Sequence, residues 1–183
     1  MKLRHIPLLF LVGFILFPCL GVAEIKFSDR IEEYSLDNEM KVILIQDKRS
    51  PIVVSSLWYK VGSSFEYPGV TGISHILEHM MFKGTTTTEA GEFSRIIKQL
   101  GGSENAFTGR DFTGYYQKVH KDYLETCLKY ESDRMVNLML NQEDLRTERE
   151  VVKEERRLRT EDNPSSKAYE KIGMQIFGLQ KYG

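Results

Sequence analysis

Hydrophobic positions change period several times along the chain, and each change marks an element. After a short basic start at Lys2, Arg4 and His5, residues 6–20 form an apolar run. Residues 34–36, a turn at Asp37-Asn38 and residues 40–46 read as the two arms of a hairpin. The second arm, Lys41-Val42-Ile43-Leu44-Ile45, is apolar on successive residues, so both of its faces are expected to be covered. Beyond Pro51, residues 52–61 form a strand rich in β-branched and aromatic side chains. Gly62-Ser63-Ser64 and Pro68-Gly69 then mark a loop. Over residues 70–82 the pattern becomes helical and apolar nearly all round, which predicts a buried helix.

Four threonines lead from there to a second helix over 89–100, stopped by Gly101-Gly102. Two short strands follow near 104–108 and 112–119, then helical stretches over 121–140 and 143–159. Asn163-Pro164 breaks the last of these, and residues 165–180 open a further helix. No internal repeat is visible. Strands, two helices, two strands and two helices in that order predict an α+β fold. The expected architecture is a two-layer α/β sandwich, with helices on one face of a largely antiparallel sheet.

Composition refines the picture. A length of 183 residues suits one domain with its own core. A net charge of −1 gives no reason to expect nucleic acid or an anionic membrane as partner. The late charge clusters alternate in sign, as solvated helix faces do. Residues 1–23 have the form of a cleavable export signal, with Gly21 and Ala23 at the −3 and −1 positions and Glu24 as the mature N-terminus. The competing reading, an uncleaved anchor, is disfavoured because the run is short for a bilayer span. A lipoprotein signal at Cys19 is disfavoured by Pro18. The expected location is therefore the periplasm or the exterior, with no stable membrane insertion after cleavage.

Without Lys2 and Arg4 the mature part carries 23 basic and 26 acidic residues, a net −3. It also keeps only Cys127, so it forms no intrachain disulfide. Residues 24–183 are read as one metal-binding domain. Because the chain stops at Lys181-Tyr182-Gly183 just after a helical pattern has begun, that domain is expected to be incomplete at its C-terminus.

The chemistry is concentrated in His75-Ile76-Leu77-Glu78-His79. Residues at i, i+3 and i+4 share one side of a helix. Two imidazoles one turn apart can hold a single zinc ion, and the glutamate between them can reach a water on that metal as general base. The alternative, two histidines satisfied by hydrogen bonds, strains against the cost of burying three polar groups on an apolar helix. A zinc peptidase needs a third protein ligand and one open position. Over 143–159, Val151, Val152 and Leu158 define an apolar face that also carries Glu148 and Glu155, while Glu150 and Glu154 point to the polar side. Glu155 is the candidate ligand and Glu148 a candidate to orient a ligand or the water. An ordinary salt-bridged helix is the bland reading of these two. Cys127 is another possible third ligand, and His120 a poorer one.

Four segments together resemble the metal-binding N-terminal domain of the pitrilysin/insulinase family of zinc metallopeptidases. They are W-Y-K-V-G-S from Trp58, H-I-L-E-H-M-M-F-K-G-T from His75, G-G-S-E-N-A-F-T from Gly101 and E-R-E-V-V-K-E-E-R-R from Glu148. The resemblance runs over about 37–164 and is similar to bacterial exported members. It implies the sandwich of the mitochondrial processing peptidase-like metallopeptidases and a zinc-dependent endopeptidase acting on peptides or unfolded segments. It also implies one zinc held by His75, His79 and Glu155, Glu78 as base and Glu148 as its supporting acid. Asn105 and Ala106 acquire a role through the resemblance alone: they would lie on an edge strand to which the peptide substrate adds by backbone pairing. The family further implies a second homologous half, in the same chain or a partner subunit, that closes around the peptide. Two rival readings remain: a non-catalytic family member serving as scaffold or partner, and an S-ribosylhomocysteine lyase-like site with a cysteine as third ligand.

Overall fold

A computed structural model describes residues 30–178 and Gln180. The export signal at 1–23 and the terminal Lys181-Tyr182-Gly183 lie outside the described residues. The chain divides between Arg49 and Ser50 into two compact units.

The first unit is the expected hairpin. Strand β1 (Ile31–Ser35) pairs antiparallel with β2 (Lys41–Ile45), in a register that sets Tyr34 opposite Val42. The turn is closed by Asn38, whose Oδ1 accepts the Met40 N–H at 3.2 Å. The expectation that β2 is covered on both faces does not hold. Ile43, Leu44 and Ile45 are about half exposed. The two strands make a two-stranded sheet, so the hairpin itself supplies no layer to cover either face.

In the second unit, β3 (Ile52–Tyr59), β4 (Ser103–Thr108) and β5 (Thr113–His120) form an antiparallel sheet in the order β3-β5-β4. Central β5 is the most buried strand, and alternation assigns Tyr115, Gln117 and Val119 to the helical side. Against it pack α2 (Glu92–Gln99) and α3 (Leu124–Asn137), giving a core of Phe93, Ile97, Val119 and Cys127 with Val53 and Tyr130 at its margin. The Phe93 and Tyr130 rings stack 4.9 Å apart. Helix α2 ends where Gly101 turns left-handed at φ 70°. The predicted α+β sandwich is the observed architecture.

Helix α1 (Ile73–Met80) carries the histidine motif and packs against α4 (Gln142–Arg156) and beside β4. Burial of this helix is one-sided, contrary to expectation: Ser74 and Met80 are buried, whereas Ile73 and Leu77 are exposed. A π-helical turn, Arg157–Glu161, continues α4, and α5 (Pro164–Phe177) follows. Pro164 thus starts a helix, its missing N–H being harmless at N1, and Asn163 caps it by accepting from Ser165 and Ser166 at 3.1 Å each. Among the described residues no helix is long and apolar enough to cross a membrane.

The charge-rich α3 is not uniformly solvated. Glu131 and Arg134 are 5% and 3% exposed and pair at 2.6 Å. Gln117 donates to the same Glu131 carboxylate at 2.6 Å, and the Arg134 guanidinium lies 4.3 Å from the Tyr115 ring centre. A charge of this kind enters a core only with its partner and its hydrogen bonds. The threonine run is likewise more than a linker. Thr85, Thr87 and Thr88 donate from their hydroxyls to Asp133 at 2.5, 2.8 and 2.9 Å, with Asn137 adding a fourth bond at 2.8 Å. The three threonine bonds tie the segment after α1 to α3, and the one from Asn137 fixes Asp133 within that helix.

Candidate metal centre

Helix geometry alone places His75 and His79 one turn apart, and their rings meet edge to face at 4.8 Å. What turns the pair into a site is α4, laid across the same side of α1. His75 Nε2 and His79 Nε2 are 3.3 Å apart, and Glu155 Oε2 stands 3.5 Å from the first and 3.9 Å from the second. A tetrahedral ion with bonds of about 2.0–2.1 Å holds neighbouring donors roughly 3.4 Å apart. The three atoms are therefore spaced much as the donors on one face of such a tetrahedron would be. Glu155 Oε2 is buried and has no hydrogen-bond partner. A carboxylate oxygen that faces two imidazole nitrogens without a hydrogen bond is the kind of donor a bound cation would satisfy. The donor set of two nitrogens and one oxygen fits zinc.

Behind the triad the support is layered. Glu148 is 7% exposed and its Oε2 lies 2.8 Å from His79 Nδ1, which makes Nδ1 the donor and leaves Nε2 to face the triad. Lys83 in turn holds Glu148 Oε1 at 2.5 Å. Burial pushes the Glu148 carboxyl upward, but the hydrogen bonds from Lys83 and His79 outweigh it and the net shift is downward. Glu148 thus stays ionised where it is most enclosed.

At the other end of α1, Gly72 offers no capping side chain. Glu66 replaces it, its carboxylate accepting from the backbone N–H of Gly72 at 2.7 Å and of Ser74 at 2.8 Å. A carboxylate at a helix N-terminus also meets the positive end of the helix dipole. The loop carrying Glu66 is fixed by its neighbour: Ser63 and Ser64 donate from their N–H groups to Gly109 and Arg110 at 3.1 and 2.8 Å. Gly62 permits this approach, since a Cβ there would lie 2.4 Å from the Gly109 carbonyl oxygen.

These groups line a cavity of about 670 Å³, whose walls include Glu66, His75, Glu78, His79, Glu148 and Glu155. Glu78 accepts a hydrogen bond from the Thr108 hydroxyl of β4. Asn105 and Ala106 line the same cavity, on a strand paired with β5 alone among the described strands. The outer edge of β4 therefore has no strand partner among the described residues. Ala106 N–H is taken by the Asn105 side chain at 2.9 Å.

The candidate residues thus divide cleanly. His75, Glu78, His79, Glu148, Glu155, Asn105 and Ala106 converge on one cleft. Cys127 does not: it is fully buried between α2 and β5, where burial raises its thiol pKa. His120 lies at the end of β5 beside Asp122, also away from the cleft. The face that selected Glu148 and Glu155 differs from expectation in its apolar members. Val151 and Leu158 are exposed, and only Val152 is partly buried with the two acids. Lys83, Glu66 and Thr108 were not singled out in the sequence. Lys83 stands four residues after His79, which could have flagged it; nothing local points to Glu66 or Thr108.

Comparisons agree with this architecture. The family model described as Insulinase (Peptidase family M16) matches residues 41–182. A relative named zinc protease PqqE, from Helicobacter pylori, is 36% identical over 145 residues, covering 79% of this chain and 33% of that protein. An uncharacterized zinc protease YmxG of Bacillus subtilis is 32% identical over 153 residues, covering 84% and 37%. The crystal structure of a protease from Helicobacter pylori superposes with a TM-score of 0.73 at 37% identity, over 76% of this chain and 34% of that one. The chain spans about a third of the length of these relatives. With the fold, the family model and these relatives in agreement, the chain belongs to the insulinase family of peptidases.

Proposed function

We propose that this chain forms the metal-binding part of a zinc-dependent endopeptidase that cleaves peptides or unfolded segments. The observation that carries the reading is the triangle of His75, His79 and Glu155 donor atoms, one of them a buried oxygen without a hydrogen-bond partner, beside an open strand edge. His75, His79 and Glu155 hold the ion. Bound there, zinc supplies a Lewis acid that polarises the scissile carbonyl and acidifies the attacking water.

Glu78 is the general base. Thr108 holds its Oε2, which fixes the carboxylate and leaves Oε1 to take the proton from the attacking water and pass it to the leaving amine. Glu148 fixes the tautomer and orientation of His79, with Lys83 keeping Glu148 ionised. Asn105 and Ala106 receive the peptide as an added strand, the Asn105 side chain giving up Ala106 N–H to the substrate carbonyl.

A second homologous half is the proposed partner, in keeping with a chain that spans about a third of its relatives. The export pattern in residues 1–23 supports a periplasmic or secreted location. The test is Glu78→Gln in the native protein. Bound zinc, read by elemental analysis, should be unchanged, and turnover of a quenched fluorescent peptide should fall about 10²–10⁴-fold. Retained turnover would remove Glu78 from the role of base.

A further inference from the structure

The cavity has two cationic side chains besides its histidines, and they are held very differently. Lys83 is largely enclosed and bound to Glu148 at 2.5 Å, so its charge is committed. Arg159 is 72% exposed, and its one ion pair is with Glu155 Oε2 at 3.5 Å, beyond hydrogen-bonding range. Neighbouring arginines make the contrast sharper. Arg156 pairs with Glu170 at 2.9 Å and with Glu161 at 3.4 Å, and Arg157 with Glu154 and Asp162 at 2.5 and 2.7 Å. Of these three, Arg159 is the one that lines the cavity. It sits within the π-helical turn Arg157–Glu161 that continues α4, and such turns are enriched at functional sites.

Its one counter-charge among the described residues is also the wrong one to keep. Glu155 Oε2 is the oxygen that faces the two histidines, and a divalent ion there draws that charge to itself. A guanidinium beside the ion is then left with a weakened counter-charge at the rim of the cleft. A peptide lying on the edge of β4 can bring one. From its 3.5 Å contact with Glu155 Oε2, the Arg159 guanidinium would stand within about two residues' reach of an ion held there, since a residue extends roughly 3.3 Å along a strand.

We propose that Arg159 is a specificity-determining residue that pairs with a carboxylate on the substrate close to the scissile bond. The inference rests on the peptidase reading above and deepens it. The planar guanidinium can meet such a group through two parallel N–H···O bonds. The carboxylate comes either from an Asp or Glu side chain or from the C-terminus of a short peptide, and the two sources are separable.

The experiment uses the native protein carrying Glu78→Gln, loaded with zinc, so that peptides bind without being cut. Fluorescence anisotropy compares peptides that differ in a single group: Glu against Gln at each position flanking the centre, and a free against an amidated C-terminus. The expected result is about tenfold tighter binding of the carboxylate-bearing member at one position. A preference in the first series identifies a side chain, and in the second a chain end. Adding Arg159→Ala should abolish the preference, and adding Arg159→Glu should reverse it toward a lysine-bearing peptide, both with zinc content unchanged. Equal binding of each pair, or a preference that survives Arg159→Ala, overturns the proposal. So does a uniform weakening with loss of zinc, which would make Arg159 a support for Glu155 alone. Failure of the peptidase reading is seen separately. Neither member of any pair would then bind, and the protein with Glu78 intact would cut nothing.

Discussion

Two regions of the second unit, both built on the same three strands, treat buried atoms in opposite ways. Between α2, β5 and α3, Phe93, Ile97, Val119 and Cys127 fill space with apolar contacts, and the ion pair of Glu131 with Arg134 is joined by Gln117, although Arg134 Nη1 and Gln117 Oε1 make no hydrogen bond. Between α1, α4 and β4, the enclosed atoms are imidazoles and carboxylates, partly exposed, and one of them, Glu155 Oε2, has no hydrogen bond. The first region stores stability, because close-packed apolar surface is favourable in any register that fills the volume. The second concentrates polar donor groups on a cleft, and Glu155 Oε2 among them makes no hydrogen bond there. Substitutions should therefore separate folding from metal binding along this boundary.

The largest expected effect lies in the core. Ile97→Ala removes a fully buried side chain and should destabilise the fold by about 2–5 kcal/mol in urea unfolding, while zinc affinity of the folded protein stays close to the parent value. A parallel loss of affinity would show that core and cleft are one cooperative unit.

Next comes the chain of support behind His79. Lys83→Met leaves the volume nearly constant but takes away the cation that holds Glu148, so zinc should bind about 10–100-fold more weakly in a chelator competition. Its thermal midpoint without metal should change little. An unaltered zinc affinity would reduce Lys83 to a surface feature.

The smallest effect tests the strap between the two regions. Hydrogen bonds, that from Thr85 foremost, hold the Asp133 carboxyl down to about 2. A folded-state pKa below the unfolded value means that the stabilisation is complete above the ordinary carboxylate range and is lost as pH falls from about 4 toward 2. Asp133→Asn should thus lower the midpoint at neutral pH, and the gap to the parent should close over that acid window. A gap independent of pH would assign the effect to shape instead of charge.

How much of this was readable beforehand depends on the range of the interaction. The i, i+3, i+4 spacing of His75, Glu78 and His79 is local geometry, as are the hairpin and the Gly101 helix stop. Glu155 is reachable from the sequence because it shares a helix face with Glu148, although of the apolar residues on that face only Val152 is partly buried. By contrast, Thr108 reaches Glu78 across 30 positions and Glu148 reaches His79 across 69. No period in the chain encodes such pairs. Burial follows the same rule: β2 and α1 are apolar enough to be covered, yet coverage depends on which layers pack against them.

By itself, then, the sequence determined the elements, their order, the placing of two histidines one turn apart on α1 and the small set of acids able to join them. Backbone propensity and side-chain period act within a few residues, so they are written in the chain order. The tertiary structure alone decided that Glu155 closes the triad while Cys127 lies in the core, that Glu66 caps α1, and that Arg159 faces the cleft while Arg156 and Arg157 are tied by ion pairs to neighbouring acids. Those choices follow from how α4 lies across α1, and a packing geometry summed over many weak long-range contacts has no local signature.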